Sequence, residues 1–441
     1  LKLQLINMGD NGRKSDTIIN IKEKLDRAGE DDLNDRWKKV CVWRAPHSLN
    51  LNDKNRHSYV PTLVTFGPYH RSNPKLREVD PHKWRALHYM LKRNDDEIDR
   101  YLDAMRELEA RARSCYEGEI SLTSDEFVEM MLLDGCFILE YFHLLSPARR
   151  NLGYPPDDPF FFGNLFYRDV FSDMLLLENQ IPLFVLHKLC DMQKNPTIDK
   201  RYIASTTVHL FGYRIWESYR KLPSLDSMNL VNDGLHILDI VMQNQVSIVP
   251  ELDPSDGEGV PHMNIPCACK LKDAGVTFET SDGYPFWLVE FSGRTLKLPK
   301  PIIHDRTETM LRNIITYEQL LPRGFNTITT YIVIMNLLIS SPEDAEYLSQ
   351  RGIIQNNLGS HQEVVDLFYG LSKNVIVVDD YMWEIMDKIN KYYNSSLNKW
   401  KADLKDKYFS NPWSIISLLA AIILLILTFI QTYFTVIQSF K

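Results

Sequence analysis

Ile415-Ile416-Ser417-Leu418-Leu419-Ala420-Ala421-Ile422-Ile423-Leu424-Leu425-Ile426-Leu427-Thr428-Phe429-Ile430 decides how the rest of this 441-residue chain is read. The stretch lies inside 408–440, which holds no charged residue. About 20 apolar residues at about 1.5 Å rise cover the roughly 30 Å hydrocarbon core of a bilayer. Trp413 at one end and Tyr433 at the other suit the two interfaces, where aromatic rings concentrate. Ile415, Leu418, Leu424, Leu427 and Phe429 are its apolar body, and Pro412 stands where a helix starts without losing an interior hydrogen bond. The competing reading is a helix buried in a protein core, but such helices seldom stay apolar all round for this length. The expectation is one transmembrane helix over 413–435.

The residues leading into it carry the opposite character. Between 388 and 407 stand six lysines (Lys388, Lys391, Lys399, Lys401, Lys405 and Lys407) against Asp403 and Asp406. Lysines near an anionic leaflet contribute about 1 kcal/mol each, so membrane lipid is the expected partner of this segment. The positive-inside rule then puts the large N-terminal part in the cytosol, at the plasma membrane or an endomembrane. The chain opens at Leu1 instead of Met, and a leader peptide ahead of it would reverse that orientation. In the reversed case the sequon Asn394-Ser395-Ser396 becomes a glycosylation site at Asn394. Met382, Ile385, Met386, Ile389, Tyr393, Leu397, Trp400, Leu404 and Tyr408 recur at steps of three and four, and no Pro or Gly falls between Asp379 and Asn411. That spacing predicts one long amphipathic helix running to the bilayer.

Composition frames the remainder. Hydrophobic residues make up 44% and charged residues 24%, which is globular composition and excludes wholesale disorder. A net charge of -8, with no zinc-finger or RNA-binding spacing, argues against nucleic acid as a partner. Six cysteines in 441 residues are too sparse for a disulfide scaffold. Cys136, inside an apolar run, reads as a reduced buried thiol. Cys267-Ala268-Cys269 has no further ligand at metal-binding spacing, so neither a metal nor a cofactor is expected.

The predicted fold is mainly α with a small β element, an α+β class, ahead of the membrane helix. Residues 1–39 form a charged N-terminal segment with one weak helix near Thr17–Ala28. Residues 40–249 form a mainly helical part, 250–263 an acidic Gly/Pro loop, 264–398 a mixed and then helical part, and 399–412 a basic segment before the membrane. Tyr59–Tyr69, punctuated by Pro61, Gly67 and Pro68, reads as extended and turn-rich. Pro81–Lys92 and Asp95–Arg113 read as helices, the second with Ile98, Tyr101, Leu102, Met105 and Leu108 on one face. Thr123 with Glu126 makes a capping box for a strongly apolar helix through Leu145. Ser146–Gly163 reads as a loop, and Asp173 as the cap of a further apolar helix that Pro182 interrupts. Tyr202–Lys221 and Gly234–Val246 are helical candidates. Val276–Phe278, Phe286–Phe291 and Thr295–Leu298 read as strands. Helices resume near Thr307, and Ser341-Pro342-Glu343-Asp344 with Gly352 gives a start and a stop.

Several of these stretches together resemble the plant family known as domain of unknown function 247. Val60-Pro61 through Phe66-Gly67-Pro68-Tyr69-His70 is similar to its early signature, and His82-Lys83-Trp84-Arg85 follows. Leu133-Asp134-Gly135-Cys136-Phe137-Ile138-Leu139-Glu140 and Asp173-Met174-Leu175-Leu176-Leu177-Glu178-Asn179-Gln180-Ile181-Pro182 are the distinctive blocks. Ala274-Gly275-Val276, Arg312-Asn313, Glu318-Gln319, Gly352-Ile353-Ile354 and Asn411-Pro412-Trp413 continue the match over roughly 40–435. Asp80-Pro81 and Tyr317 depart from it. The resemblance implies a plant origin and a C-terminal membrane helix, and it brings no catalytic residues. Some grass members are linked to self-incompatibility, which implies a recognition role for those members.

Chemistry, if present, would rest on Asp134, Glu140 and Glu178, whose carboxylates fall in strongly apolar runs and are costly there unless paired or protonated. One reading makes them an acid/base pair of a hydrolase or transferase. The other has them cap helices or meet Arg85, Arg312 or Lys83 in a buried network. Glu178-Asn179-Gln180 before Pro182 favours the second, since Pro182 leaves carbonyls one turn back without partners. His70, His82 and His88 lie close in sequence, but a spacing of six puts the last two on different helix faces. No G-x-S-x-G elbow, H-E-x-x-H, P-loop or dinucleotide fingerprint occurs. The expected function is therefore a membrane-anchored interaction or recognition protein with an unidentified protein partner, and an enzyme is the second choice.

Overall fold

A computed structural model describes residues 36–49, 56–147, 152–158, 160–193, 198–215, 234–246, 264–281, 287–321, 326–377, 380–395 and 412–439, with 20–22, 24, 25, 29 and 149 as isolated positions. Within these the chain is mainly helical with a few short strands. The acidic loop 250–263, the segment 399–411 and most of 1–39 lie outside the described residues. The chain divides into two compact units, one of Leu1–Val208 with Asn229–Gln243 and one of His209–Met228 with Asn244–Lys441.

The first unit contains α1 (Arg36–Lys39), α2 (Asp80–Asn94), α3 (Ile98–Arg113), α4 (Ser124–Leu145), α5 (Asn164–Met174), α6 (Leu183–Asp191) and most of α7 (Lys200–Ile215). Its axis is α4. Thr123 Oγ1 accepts from the Glu126 N–H while the Glu126 carboxylate accepts from the Thr123 N–H at 2.8 Å, the reciprocal cap the sequence predicts. From Phe127 to Leu144 nearly every side chain of α4 is buried, because α2, α3 and α6 pack against different sides of it. Gly135 makes the α6 contact possible, since a Cβ there would collide with the Leu189 side chain. The helix α3 buries Tyr101, Ala104, Met105 and Ala112 and keeps its charges outward, as its period predicts.

Two expectations fail in this unit. The helix α5 lies where no helix is expected, and Asp173 sits near its end instead of capping the next one. Residues 175–181 turn, and α6 starts only after Pro182. The physical reason is the pair Asn179 and Gln180, whose side-chain amides donate to backbone carbonyls in competition with helix.

The second unit holds α9 (Ala268–Asp273), α10 (Thr307–Leu320), α11 (Thr327–Leu338), α12 (Pro342–Gln350), α13 (His361–Ser372), α14 (Asp380–Asn394) and α15 (Pro412–Ser439), while α8 (Ile237–Val246) spans the division. Its sheet has the order β1 (Thr277–Thr280), β3 (Thr295–Leu298), β2 (Glu290–Ser292). The pair β1–β3 is parallel, and β2–β3 is a hairpin turning at Gly293, whose φ is +62°. Leu296 and Leu298 point into the core while Thr295 and Lys297 do not, the alternation of a half-buried strand. A second parallel pair, β4 (Ile302–Ile303) with β5 (Gln355–Asn356), has no signature in the sequence. Ser341 Oγ accepts from the Asp344 N–H at 3.3 Å and Gly352 turns at φ +73°, the start and stop expected for α12. Glu318, buried on α10, accepts from the Ile328 and Thr329 N–H groups and so satisfies the first turn of α11.

The single long helix expected over 379–411 is corrected. The helix α14 ends at Asn394, and Ser395 turns back on the Tyr392 carbonyl. Ser395 has left helical geometry, and the remainder of the expected helix, 396–411, lies outside the described residues. Lys388 and Lys391 on α14 pair with Glu384 and Asp387 one turn back. The side chains of α15 are described without a break only over 419–433, fewer than the about 20 residues a bilayer core requires. Among the described residues, no helix is long and apolar enough to cross a membrane. The side chains of Trp413, Ile415 and Leu418 lie outside the described residues, whereas Leu424, Leu427, Phe429 and Tyr433 are exposed.

Candidate functional site

The segment 62–67 forms no strand, and it is buried from Val64 to Gly67. Side chains from three helices and one turn supply its hydrogen bonds instead. Asp173 accepts from the N–H groups of Thr62, Leu63 and Val64 at 2.8–3.0 Å. Asn179 accepts from the Phe66 N–H at 2.7 Å and donates to the Val64 carbonyl at 3.0 Å. Asp134 accepts from the Gly67 N–H at 2.8 Å. Lys83 donates to the Thr65 carbonyl and to Asp134, each at 2.6 Å. Gly67 has a φ of +73°, and a Cβ there would stand 2.5 Å from the Gln180 carbonyl oxygen, so only glycine fits.

The same device closes α5. Asn179 donates to the Asp173 carbonyl, and Gln180 donates to those of Met174 and Leu176. The carbonyls in need are thus the last ones of α5 and that of Leu176 just beyond it, not those stranded by Pro182. Glu140 pairs with Arg93 and accepts from the Tyr154 hydroxyl at 2.8 Å, with His143 Nδ1 at 3.4 Å. Burial opposes its charge, but His143 and Arg93 outweigh that and hold its carboxyl below the usual range. Glu178 accepts from the Ala45 N–H at 2.8 Å and lies 3.3 Å from His70 Nε2. Against its burial, His70, the Ala45 N–H and Arg44 together hold it below the usual range. Of the cations expected as partners, only Lys83 meets one of the three carboxylates in this geometry. Arg85 pairs with Asp158 and Arg312 with Glu308.

The three carboxylates therefore occupy separate places in the unit and form no shared pair. His82 stacks on Phe160 at 3.5 Å and His88 stands edge-on to Tyr89, so the neighbouring histidines do not gather either. Among the described residues no group of three or more His, Cys, Asp or Glu side chains is placed to hold a metal ion. Cys267 and Cys269 converge on Asp344, whose carboxylate accepts from the Cys269 N–H at 2.9 Å. Burial, with Asp344 beside it, pushes the Cys269 thiol up to about 12.

What the clamp holds in place is the continuation of the segment. Pro68, Tyr69, Arg71 and Ser72 form one wall of an open cleft of about 550 Å³. Arg44, Arg77, Asp80, residues 119–122, Glu126 and Glu129 complete it. The Tyr69 hydroxyl donates to the Val42 and Glu117 carbonyls at 2.9 and 3.0 Å, and Arg44 lies over its ring at 4.1 Å. Burial raises the Tyr69 hydroxyl above its usual range, against the opposing pull of Arg44. The cleft is mostly polar and carries both signs of charge, with Arg71 reaching Glu129 at 3.3 Å.

The blocks that meet in this clamp, 60–70, 133–140 and 173–182, are among those that resemble a known plant family, and the match of most of the chain to its family model settles membership. The model for DUF247, plant protein of unknown function, matches residues 42–427. The chain belongs to the DUF247 family. It is similar to UPF0481 protein At3g47200 of Arabidopsis thaliana, at 29% identity over 89% of this chain and 85% of that protein. It is also similar to putative UPF0481 protein At3g02645 of the same plant, at 24% identity over 96% and 95% of the two chains. No solved structure matches. The DUF247 blocks thus converge on one structural purpose in this chain, holding 62–67 through side chains. Sequence reasoning found Asp134 and Glu178 and gave Asp173 the wrong partner. The polar run 178–180 before a proline was the available signal.

Proposed function

We propose that this DUF247 chain is a membrane-anchored recognition protein, with its domain on the cytosolic side and α15 in the bilayer. The observation that carries this reading is the surface of α15. Ile422 to Leu427 are six consecutive apolar residues, and each is 45–70% exposed. Consecutive positions point all round a helix, so no single protein face covers them. Phe429 and Tyr433 extend the exposure. The hydroxyls of Thr428, Thr432 and Thr435 each donate to the carbonyl four residues back at 2.8 Å, which suits a solvent without hydrogen-bonding partners. The sequence supplies the rest of the span, 413–418, and the lysines of 388–407 that favour an anionic cytosolic leaflet.

The recognition half of the reading rests on the cleft at Tyr69 and Arg71, where both signs of charge are exposed on a rigidly held backbone. It favours binding over catalysis, because the oxygens of Asp134, Glu140 and Glu178 are engaged by cations, a hydroxyl and backbone N–H groups. Alkaline carbonate extraction and protease protection of tagged chains on intact vesicles test the anchor and its orientation. Release of the intact chain to the supernatant overturns the anchor. Partner capture from membranes, compared between the wild type and Arg71→Glu/Arg77→Glu, tests the cleft. Equal capture by both overturns its role.

A further inference from the structure

A second cavity of the first unit, about 520 Å³, is lined by Lys39, Cys41, Arg111, Cys115, Phe184 and His187. It abuts two cysteines that are distant in sequence and adjacent in space. Val42 and Tyr116 form a parallel bridge, and the N–H groups of Cys41 and Val42 both donate to the Cys115 carbonyl at 2.9 Å. The register therefore sets Cys41 beside Cys115 with their side chains on the same face. Neighbouring strands lie about 4.8 Å apart, inside the roughly 4.4–6.8 Å Cα separation that a disulfide spans. Both residues are buried thiols within hydrogen-bonding reach of each other. Four other cysteines are unpaired thiols, and none has this register with a partner.

We propose that Cys41 and Cys115 form a reversible disulfide by exchange with a small carboxylate-bearing disulfide of the glutathione type that enters this cavity. Lys39 and Arg111 on the wall match the carboxylates of such a ligand. Cys115 is the attacking sulfur. In the resting thiol its Sγ–H donates to the Arg111 carbonyl at 3.4 Å, and the Arg111 side chain on the same cavity wall, with the Cys41 contact, favours its thiolate against burial. The Cys115 thiolate attacks one sulfur of the oxidised glutathione, making a mixed disulfide and releasing one glutathione thiolate, which takes up a proton. Cys41 then loses its proton and attacks the Cys115 sulfur, and the second glutathione leaves. Two protein thiols are oxidised to one disulfide, and one glutathione disulfide is reduced to two thiols.

The test uses the full chain in detergent micelles, treated with oxidised glutathione, alkylated, digested and analysed by mass spectrometry. A Cys41–Cys115 cross-linked peptide is expected, and reduced glutathione should remove it. Cys41→Ser should stop at the mixed disulfide on Cys115, and Cys115→Ser should give neither product at this site. Oxidised glutathione should act about tenfold faster than cystamine, a disulfide of opposite charge. The proposal is overturned if the wild type yields only glutathione adducts at Cys267 or Cys269, or if cystamine is equally fast.

Discussion

Lys83 Nζ lies 2.6 Å from Asp134 Oδ1, and both side chains are 1% exposed. The pair would be a poor use of two charges if it stood alone, since taking both from water costs more than their attraction returns. It does not stand alone. Lys83 also holds the Thr65 carbonyl and Asp134 the Gly67 N–H, so the pair fixes the backbone of a buried segment that has no strand beside it. Replacing Lys83 by Met should destabilise the protein by about 3–5 kcal/mol, because it leaves Asp134 buried and unpaired. Lys83→Met with Asp134→Asn should cost clearly less than the two single changes added. Thermal unfolding of the four members of this cycle measures it, and simple additivity would refute the coupling.

Gly67→Ala tests the close approach to Gln180. The residue must keep φ near +73° and admit a methyl 2.5 Å from a carbonyl oxygen. The combined strain predicts a loss of about 2–4 kcal/mol. Gly118→Ala serves as the control, since it shares the positive φ, +80°, but faces open space. A loss at Gly67 no larger than at Gly118 would mean that the backbone moves freely there.

Acid should weaken the fold in two windows. His236 is fully buried, its Nε2 lies 3.0 Å from the Cys41 carbonyl, and its Nδ1 accepts from the Asp239 N–H. Burial lowers its pKa against the pull of Asp239 and the Cys41 carbonyl. The unfolded state therefore binds the proton first, so its contribution is present above about pH 6.5 and is lost as pH falls below that value. His82, His209 and His304 are shifted the same way and add to this window. Glu140, Glu178 and Asp158 are held low, so their contribution persists until pH falls below about 4.5 for the two glutamates and about 3.8 for Asp158. Denaturant titrations from about pH 8 to about pH 2 should show both losses, and His236→Gln should flatten the upper one. An unchanged slope between pH 7 and pH 5.5 would exclude His236 as a contributor.

Leu424→Arg places a charge at the middle of the exposed apolar run of α15. If that run sits in hydrocarbon, insertion should be disfavoured by roughly 2.5–3.5 kcal/mol, and the chain should shift from the membrane pellet to the soluble fraction. The same change at Tyr369, an exposed residue of α13, should leave fractionation as it was. Identical fractionation of Leu424→Arg and the wild type would argue against lipid as the solvent of this helix.

The elements legible from sequence were those whose signals are local. Thr123 and Glu126 start α4, the period of α3 sets its buried face, and Gly293 and Gly352 mark turns by their positive φ. What stayed hidden depends on partners distant in sequence. Asp173 looks like a helix cap because its preference is local, but its carboxylate binds residues more than a hundred positions earlier. The strand pair β4–β5 and the Cys41–Cys115 contact are of the same kind, short pairings with no pattern of their own. The end of α14 at Asn394 was hidden because the apolar period runs on past it with no Pro or Gly to mark a stop. Glu140 was legible as a buried carboxylate, but Arg93 as its partner was not, because nothing local links the two helices.

The side-chain clamp on 62–67 also orders the making of the protein. Its ligands on Asp173 and Asn179 stand 109 to 115 positions downstream. During synthesis these backbone groups leave the ribosome long before anything can hold them, and at about 5–20 residues per second the wait lasts several seconds or more. Extended backbone with open hydrogen-bonding groups is a template for wrong pairing. The groups that bind Asp173 and Asn179 stay open through this interval, and a pause in translation between 67 and 179 should lower the yield of folded protein more than a pause after 180.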